Sequence, residues 1–419
     1  MAAFSREERA RKRLPKIFSA LTFALVLLPG VPAFAQVGEG APDPSSVRVR
    51  MGPLLMNPRI SLTNVGVDDN VFNDPANKDP KRDFTFTLTP VSDFWLRLGP
   101  TWIDANLTET LNWYQKYESE RNANTGVKVG WIVPGSRMSF RIDGRYLDAH
   151  DRPGYEIDTR AGRTEAGYSG AFDFHVMSKS FIGVTASRIE TRFDQGTEYN
   201  GTDLQVALDR VDTTYGVNFR HDVTPLTSIT FSGTHVITNF DHSPNRDTVS
   251  NSALMAVSFK PEALLKGGFS LGYDDLAPTD SSLPDYRGFV GNVDLTYVLL
   301  GSTRFAVTGG RGVQYSYDDS QPYYIQSRIA GSVTQQVYGP LDVEARGEIA
   351  SLDYRDRSGV AVAAPDRSDH IRSYGAGVGY HLAKDLRLSF NVDQYNRDSQ
   401  MVDHQYDKLL FGFGLSYGF

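Results

Sequence analysis

The last residues of the chain, "LLFGFGLSYGF", alternate between large apolar side chains and small ones. Successive side chains of a β-strand point to opposite faces, so this period of two predicts a strand and not a helix. The apolar face of such a strand must be covered by a second protein layer or by lipid. On that face lie Leu409, Phe411, Phe413, Leu415, Tyr417 and Phe419.

The same alternation recurs along the chain in hairpin units of roughly 40 residues. Eight tight connections, such as "LGPT" and "YGPL", carry the glycine and proline residues that end strands. Nine longer polar segments, such as "NDPANKDPKRD" and "DRPGYEIDTRAGR", lie between them. Alternating short and long connections are typical of outer-membrane barrels. The pattern predicts an all-β fold of about eighteen antiparallel strands, with sixteen as the alternative and both chain ends on the short-turn side.

Closure follows from the cost of a free strand edge in hydrocarbon. Each unpaired backbone group there costs several kcal/mol, so a sheet in a membrane must form a closed barrel. We therefore expect an up-and-down transmembrane β-barrel in which the last strand pairs with a first strand near Pro58 to Val67. The aromatic end of the last strand resembles the signal that the bacterial barrel-assembly machinery reads. That resemblance assigns closure and assembly roles to Phe411, Phe413, Leu415, Tyr417 and Phe419.

Charged residues occupy the second face of several predicted strands. A charge inside a barrel needs water or a partner, because burying it alone is prohibitive. Two interpretations remain: a hydrated conduit, which we favour because barrels of about this strand number enclose aqueous channels, or a lumen largely filled by ion pairs. The candidate lumen-lining residues are Arg137, Arg141, Asp143, Arg145, Asp294, Asp342, Glu344, Arg346 and Glu348. No segment resembles an internal plug domain.

The amino terminus predicts export from the cytoplasm. A basic stretch, an apolar run from Ile17 to Leu28 and the small-residue ending "VPAFAQ" predict a signal peptide at residues 1–35. A short periplasmic linker at 36–57 and the barrel at 58–419 would follow. Without residues 1–35 the net charge is −11, which argues against nucleic-acid binding. The absence of cysteine fits an oxidising compartment.

Apparent catalytic motifs are better explained by the barrel. "GLSYG", Gly414 to Gly418, matches a nucleophile elbow, but no helix follows it. Acidic pairs at strand ends, such as Asp274 and Asp275, suit either a solvated rim or cations among lipopolysaccharide phosphates. We predict no catalytic residue, metal site or cofactor. The histidines that a rim hydrolase would use are His150, His235, His242, His370 and His404.

The first predicted strand and its loop read "ISLTNVGVDDNVFNDP". With "DDNVF" at Asp68 to Phe72 and a barrel of long hairpins, the chain resembles the putative β-barrel porin 2 family of Gram-negative outer membranes. The resemblance implies a porin-like conduit that assists exopolysaccharide export or assembly. Its implied partners are outer-membrane lipid and lipopolysaccharide, the barrel-assembly machinery and polysaccharide export components. The alternatives are a structural or surface-binding barrel with a closed lumen and an outer-membrane hydrolase.

Overall fold

The computed structural model describes residues 47–418. The predicted signal peptide, the first half of the predicted linker and Phe419 lie outside these residues. The helices are α1 (Leu204–Leu208) and four 3-10 turns, at Ala76–Lys78, Glu118–Glu120, Pro244–Arg246 and Val402–His404. No helix within residues 47–418 is long and apolar enough to cross a membrane. The strands are β1 (Val49–Met51), β2 (Leu54–Asp68), β3 (Asp83–Leu98), β4 (Thr101–Tyr114), β5 (Asn122–Val133), β6 (Met138–Asp151), β7 (Ala161–Met177), β8 (Ser180–Phe193), β9 (Glu198–Tyr199), β10 (Thr202–Asp203), β11 (Arg210–Thr224), β12 (Thr227–Phe240), β13 (Thr248–Phe259), β14 (Leu265–Pro278), β15 (Tyr286–Leu299), β16 (Thr303–Tyr315), β17 (Tyr323–Tyr338), β18 (Leu341–Arg355), β19 (Ser368–Ala383), β20 (Leu386–Asp398) and β21 (Tyr406–Tyr417).

Eighteen of these strands form one closed antiparallel ring, which confirms the predicted barrel. Each barrel strand pairs with the next one along the chain, and β2 pairs with β21 from Ile60–Tyr417 to Asp68–Leu410. Short turns and longer loops alternate, so the two ends of the ring-forming segment lie at the short-turn end. Outside the ring, β9 pairs with β10, and β1 pairs with residues 54–56 of β2, below the part that β21 covers.

The closing pair of strands depends on a glycine. The register of β2 against β21 shifts between Leu62 and Val65, where Asn64 has a positive φ of 55°. A Cβ atom on Gly66 would collide with the backbone carbonyl of Phe411. Glycine therefore allows the first and last strands to approach closely where the barrel closes.

An apolar belt covers the outside of the barrel. Around the ring, the large apolar side chains on one face of the strands are exposed, and their neighbours along each strand point the other way. So continuous an exposed belt is typical of a barrel whose outer face contacts lipid. Members of the belt are Phe172, Ile182, Val217, Phe231, Leu271, Phe305, Ile349, Tyr374 and Phe413.

The wall is split on one side near the long-loop end. β15 and β16 pair only from Leu299–Thr303 to Gly291–Arg311, although both strands continue beyond that point. β16 stays paired with β17 to its end, at Tyr315–Tyr323. We call residues 312–325 the hairpin tip. At the split the hairpin tip separates from β15 and bends into the barrel, while its residues 323–325 stay paired with residues 353–355 of β18.

Candidate functional site

Charged side chains on the inner face pair with one another between neighbouring strands. Arg141 of β6 donates through Nε to Asp143 at 2.6 Å and through Nη2 to Asp104 of β4 at 3.0 Å. Arg145 lies 3.8 Å from Glu165 of β7. Arg141 and Arg145, which the sequence suggests as part of a basic ladder, are thus balanced by carboxylates on β4, β6 and β7.

A second group of ion pairs joins β18, β19 and β20. Arg387 donates to both carboxylate oxygens of Asp342, at 2.6 and 2.9 Å, in the bidentate geometry that suits a guanidinium. Arg346 reaches Asp393 at 2.6 Å and Glu344 at 3.2 Å. The mostly acidic ladder of β18 is therefore also matched by partners of opposite charge.

The remaining predicted lumen-lining and closure residues differ in where they lie and how exposed they are. Asp294 is exposed on β15, on the face opposite to the exposed Phe289. Arg137 is an exposed residue in the turn before β6 and not a strand residue. Among the predicted closure residues, the side chains of Phe411, Phe413, Leu415 and Tyr417 are exposed on the outer face of β21. Phe419 lies outside the described residues.

One long loop crosses the barrel. The loop between β6 and β7, residues 152–160, is named here the crossing loop. Its Tyr155 hydroxyl donates to the carboxylate of Glu348 on β18 and accepts from Arg328 on β17 at 3.3 Å. In the eighteen-strand ring, β6 and β17 are nine strands apart, so they lie on opposite walls. Because Glu348 lies near the middle of β18, the crossing loop spans the lumen well below the rim.

A buried ionic cluster anchors the far end of the crossing loop. The carboxylate of Asp158 accepts from Arg397 of β20 at 2.8 Å and from the amide of Asn73 at 3.1 Å. Arg397 also donates to Asp369 at 2.7 Å, and Arg367 donates to the same carboxylate. Removing one of these charges would leave its neighbours buried with fewer partners of opposite charge, which is costly.

Two titratable groups of the loops have strongly shifted pKa values. Burial raises the pKa of Glu156, in the crossing loop, to about 7, although Ser316 donates a hydrogen bond to its carboxylate at 2.6 Å. Burial and the nearby Arg367 and Arg397 lower the pKa of His404 to about 3. The folded loops therefore favour a protonated Glu156 near pH 6 and a neutral His404.

A second loop packs against the crossing loop. It joins β8 to β11, contains β9, β10 and α1, and begins its helix with Asp203, whose carboxylate accepts from the backbone N–H of Gln205 at 2.9 Å. Leu204 and Leu208 of α1 are buried against Ile157 of the crossing loop. The crossing loop and this second loop thus pack together in one apolar cluster. We call these two loops, together with the hairpin tip, the constriction.

The hairpin tip is the third part of the constriction. Tyr315 is hydrogen bonded to Thr248 at 2.5 Å and packs edge-on against Phe240. Thr248 lies on the face of β13 opposite to the exposed Met255, so this contact is inside the barrel. Arg246 donates to the backbone carbonyls of Ser316 and Pro322, at 2.6 and 2.8 Å, and holds the tip in place.

The rim histidines do not assemble into a catalytic group. His235 is paired with Asn251, His242 is 3.7 Å from Asp209, and His404 contacts Tyr199. His150 and His370 are exposed on different strands. Within residues 47–418 no group of three or more histidine and carboxylate residues is placed to hold a metal ion.

The loops inside the barrel were not predicted from the sequence. The segment "DRPGYEIDTRAGR" was interpreted only as a polar loop, and no segment was identified as an internal plug. The available signal was the presence of Tyr155 and Ile157 among charged residues, since large apolar side chains in a loop need cover. Arg246 and Arg397 carried no sequence signal, because their partners are distant along the chain.

Comparison with known proteins places the chain among porins. A family model described as "Putative beta-barrel porin 2" matches residues 43–419. A search of curated proteins finds no match. Among solved structures, the barrel is similar to a BenF-like porin from Pseudomonas fluorescens Pf-5, with 13% identity, a TM-score of 0.46 and coverage of 87% of this chain and 98% of that one. It is also similar to OpdK from Pseudomonas aeruginosa, with 10% identity, a TM-score of 0.45 and coverage of 86% and 98%.

The family match spans nearly the whole barrel, from before β1 to the last residue, and it agrees with the closed ring and the apolar belt. A barrel of this kind resides in the bacterial outer membrane. The chain therefore belongs to the putative beta-barrel porin 2 family of outer-membrane β-barrel proteins.

Proposed function

We propose that the protein is a constricted conduit for small polar solutes, with no enzymatic activity. The observation that carries this proposal is the crossing loop, which spans the lumen from β6 and β7 to Glu348 on the opposite wall. A loop at mid-height narrows the passage to the space beside it, and the paired charges around it offer polar contacts without a large excess of either sign.

The test is single-channel conductance in planar bilayers. One variant replaces residues 153–158 with glycine and serine, and its matched control replaces the exposed residues 76–79 of another long loop in the same way. We expect the first replacement to raise the conductance several-fold and the control to leave it unchanged. If neither the native protein nor the first variant conducts, the barrel is not a conduit, and the closed structural barrel becomes the better explanation.

A role in exopolysaccharide export is a finer proposal. It is supported by Tyr155 of the crossing loop, which is partly exposed and combines an aromatic face with a hydroxyl group. Such a side chain suits a sugar chain, which has both apolar and hydroxyl-bearing surfaces. Long neutral and anionic oligosaccharides added to one side of the bilayer should interrupt the current, and ion flow that sugars never block would contradict this role. Lipopolysaccharide, the barrel-assembly machinery and polysaccharide export components are the partners that this proposal includes.

A further inference from the structure

The split between β15 and β16 leaves two facing strand edges without their ladder. Residues 286–290 of β15 and 312–315 of β16 have no β15–β16 pairing, although each strand keeps its other neighbour. On the β15 edge the carbonyl of Phe289 accepts from the Tyr286 hydroxyl at 2.9 Å, and native barrels normally avoid interruptions of the ladder near a membrane. A split of this length therefore calls for a physical reason.

The hairpin tip carries the side-chain pattern of a lipid-facing wall. On β17, Ile329 faces outward and is 51% exposed, and the residues in the same phase further up are Ile325 and Tyr323. On β16, Phe305 and Val307 face outward, and Val313 and Tyr315 continue the same phase. This phase is polar at Arg311 and Ser327, beside the split, and apolar again in the hairpin tip, where Ile325 is 0% exposed.

This apolar face of the hairpin tip rests on an apolar patch of the inner wall. Ile325 and Tyr323 pack against Leu254, Leu276 and Val290, which point into the barrel from β13, β14 and β15. Charged and hydroxyl-bearing side chains occupy much of the inner face, and smaller apolar clusters lie at Leu352 with Ile371 and at Ile132 with Ala171. The hairpin tip covers the patch at Leu254, Leu276 and Val290 and keeps its apolar surface away from water in the lumen.

The two free edges also match in register. Continuing the β15–β16 ladder beyond Gly291–Arg311 would place Val290 opposite Gly312 and Phe289 opposite Val313. Both Phe289 and Val313 would then face lipid, and the wall would have no split. The apolar face of the hairpin tip would therefore be covered in either of two positions. The inner-wall patch covers it when the tip is tucked into the lumen, and lipid would cover it when the tip lies in the wall.

From these observations we propose that the hairpin tip is a lid, which narrows the lumen when tucked and widens it by pairing with β15 beyond Gly291. This proposal rests on the proposed function as a conduit. In the tucked position the lid is held by Arg246, through the carbonyls of Ser316 and Pro322, and by Glu156, which accepts from Ser316. When the tip returns to the wall these hydrogen bonds break, and the patch at Leu254 and Leu276 becomes exposed to the lumen.

Cross-linking tests the lid directly, because the chain contains no cysteine. The full chain with Phe289→Cys and Val313→Cys, refolded in lipid vesicles, is oxidised, and remaining thiols are counted with a maleimide reagent. We expect a disulfide to form, and to form faster when Arg246→Gln is added. Leu295→Cys with Val307→Cys, a pair that is already opposite in the ladder, is the positive control. Arg287→Cys with Val313→Cys, two residues out of register, should cross-link much less.

Conductance measurements then distinguish failure of the lid proposal from failure of the proposed conduit function. The oxidised Phe289→Cys, Val313→Cys protein should conduct several-fold more than the reduced one, and reduction should reverse the change. The lid is overturned if Leu295→Cys with Val307→Cys cross-links fully while Phe289→Cys with Val313→Cys does not, even with Arg246→Gln. It is also overturned if the disulfide forms and the current through a conducting barrel does not change. Absence of current from every variant, including the one without the crossing loop, would overturn the proposed function instead.

Discussion

The anchor of the crossing loop can be removed at Asp158. Its carboxylate accepts from Arg397 at 2.8 Å, and both groups are largely buried. Removing one partner of a buried ion pair costs about 3–5 kcal/mol. Because Arg397 keeps Asp369 as a second partner, we expect the lower end, about 3 kcal/mol, for Asp158→Ala. That corresponds to a roughly 100-fold increase in the population with the loop detached, since every 1.4 kcal/mol is tenfold.

Limited trypsin digestion of the refolded barrel measures this population. Arg160 lies at the end of the crossing loop, where it is buried between Glu120 and Tyr114. When opening is fast relative to cleavage, the cleavage rate after Arg160 follows the fraction of open loop. Asp158→Ala should therefore be cut there up to roughly 100-fold faster than the native protein, by the same conversion of free energy to population.

The matched control is Asp403→Ala, which removes an exposed carboxylate paired with Lys78. Exposed ion pairs contribute little, so cleavage after Arg160 should stay at the native rate. The reasoning is refuted if Asp158→Ala is cut no faster than this control while its barrel stays folded, as judged by heat-modifiable migration. In that case the cluster at Arg397 would not hold the crossing loop.

Three further predictions concern pH, closure and selectivity. Burial raises the pKa of Glu156 to about 7, so its contribution to the closed constriction is complete below its ordinary pKa and is lost as the pH rises through 7. His404, whose pKa is lowered to about 3, acts in the opposite sense, because a detached loop binds a proton below about pH 6.5. Below about pH 6.5 the two groups oppose each other, so the conductance of the native protein should rise mainly between pH 6.5 and 8, and Glu156→Gln should abolish that rise. Gly66→Ala forces a Cβ against the Phe411 carbonyl and should cost about 1–3 kcal/mol by overpacking, seen as a lower temperature of heat-modifiable unfolding. Arg141→Glu places a third carboxylate beside two others and should shift the reversal potential in a salt gradient toward cations, while an unchanged potential would show that this group does not border the ion path.

The features of the fold that depend on short-range sequence patterns were predicted correctly. Alternation of period two and the glycine and proline residues of the turns identified the strands, their number and the position of both ends. The pairing of the last strand with the first, seen for residues 410–417, followed from closure alone. The structure moves the start of that strand to Leu54, because the ladder with β3 continues past Pro58.

The candidate site was predicted only in part. Arg141, Asp342 and Arg346 were recognised as in-phase charges, but their partners Asp104, Arg387 and Asp393 come from other strands and could not be assigned. Pairing between strands depends on register, and register is set by the whole ring. The choice between a conduit and a filled lumen likewise needed the positions of the loops.

By itself, the sequence determined that this chain forms a closed barrel, because every strand must cover its own backbone groups and present one apolar face to lipid. Only the tertiary structure decided what lies inside. Tyr155 meets Glu348 across 193 residues, and Asp158 meets Arg397 across 239. A polar loop has the same composition whether it extends into water above the barrel or folds into water within it. The difference arises from long-range contacts, which no local pattern encodes.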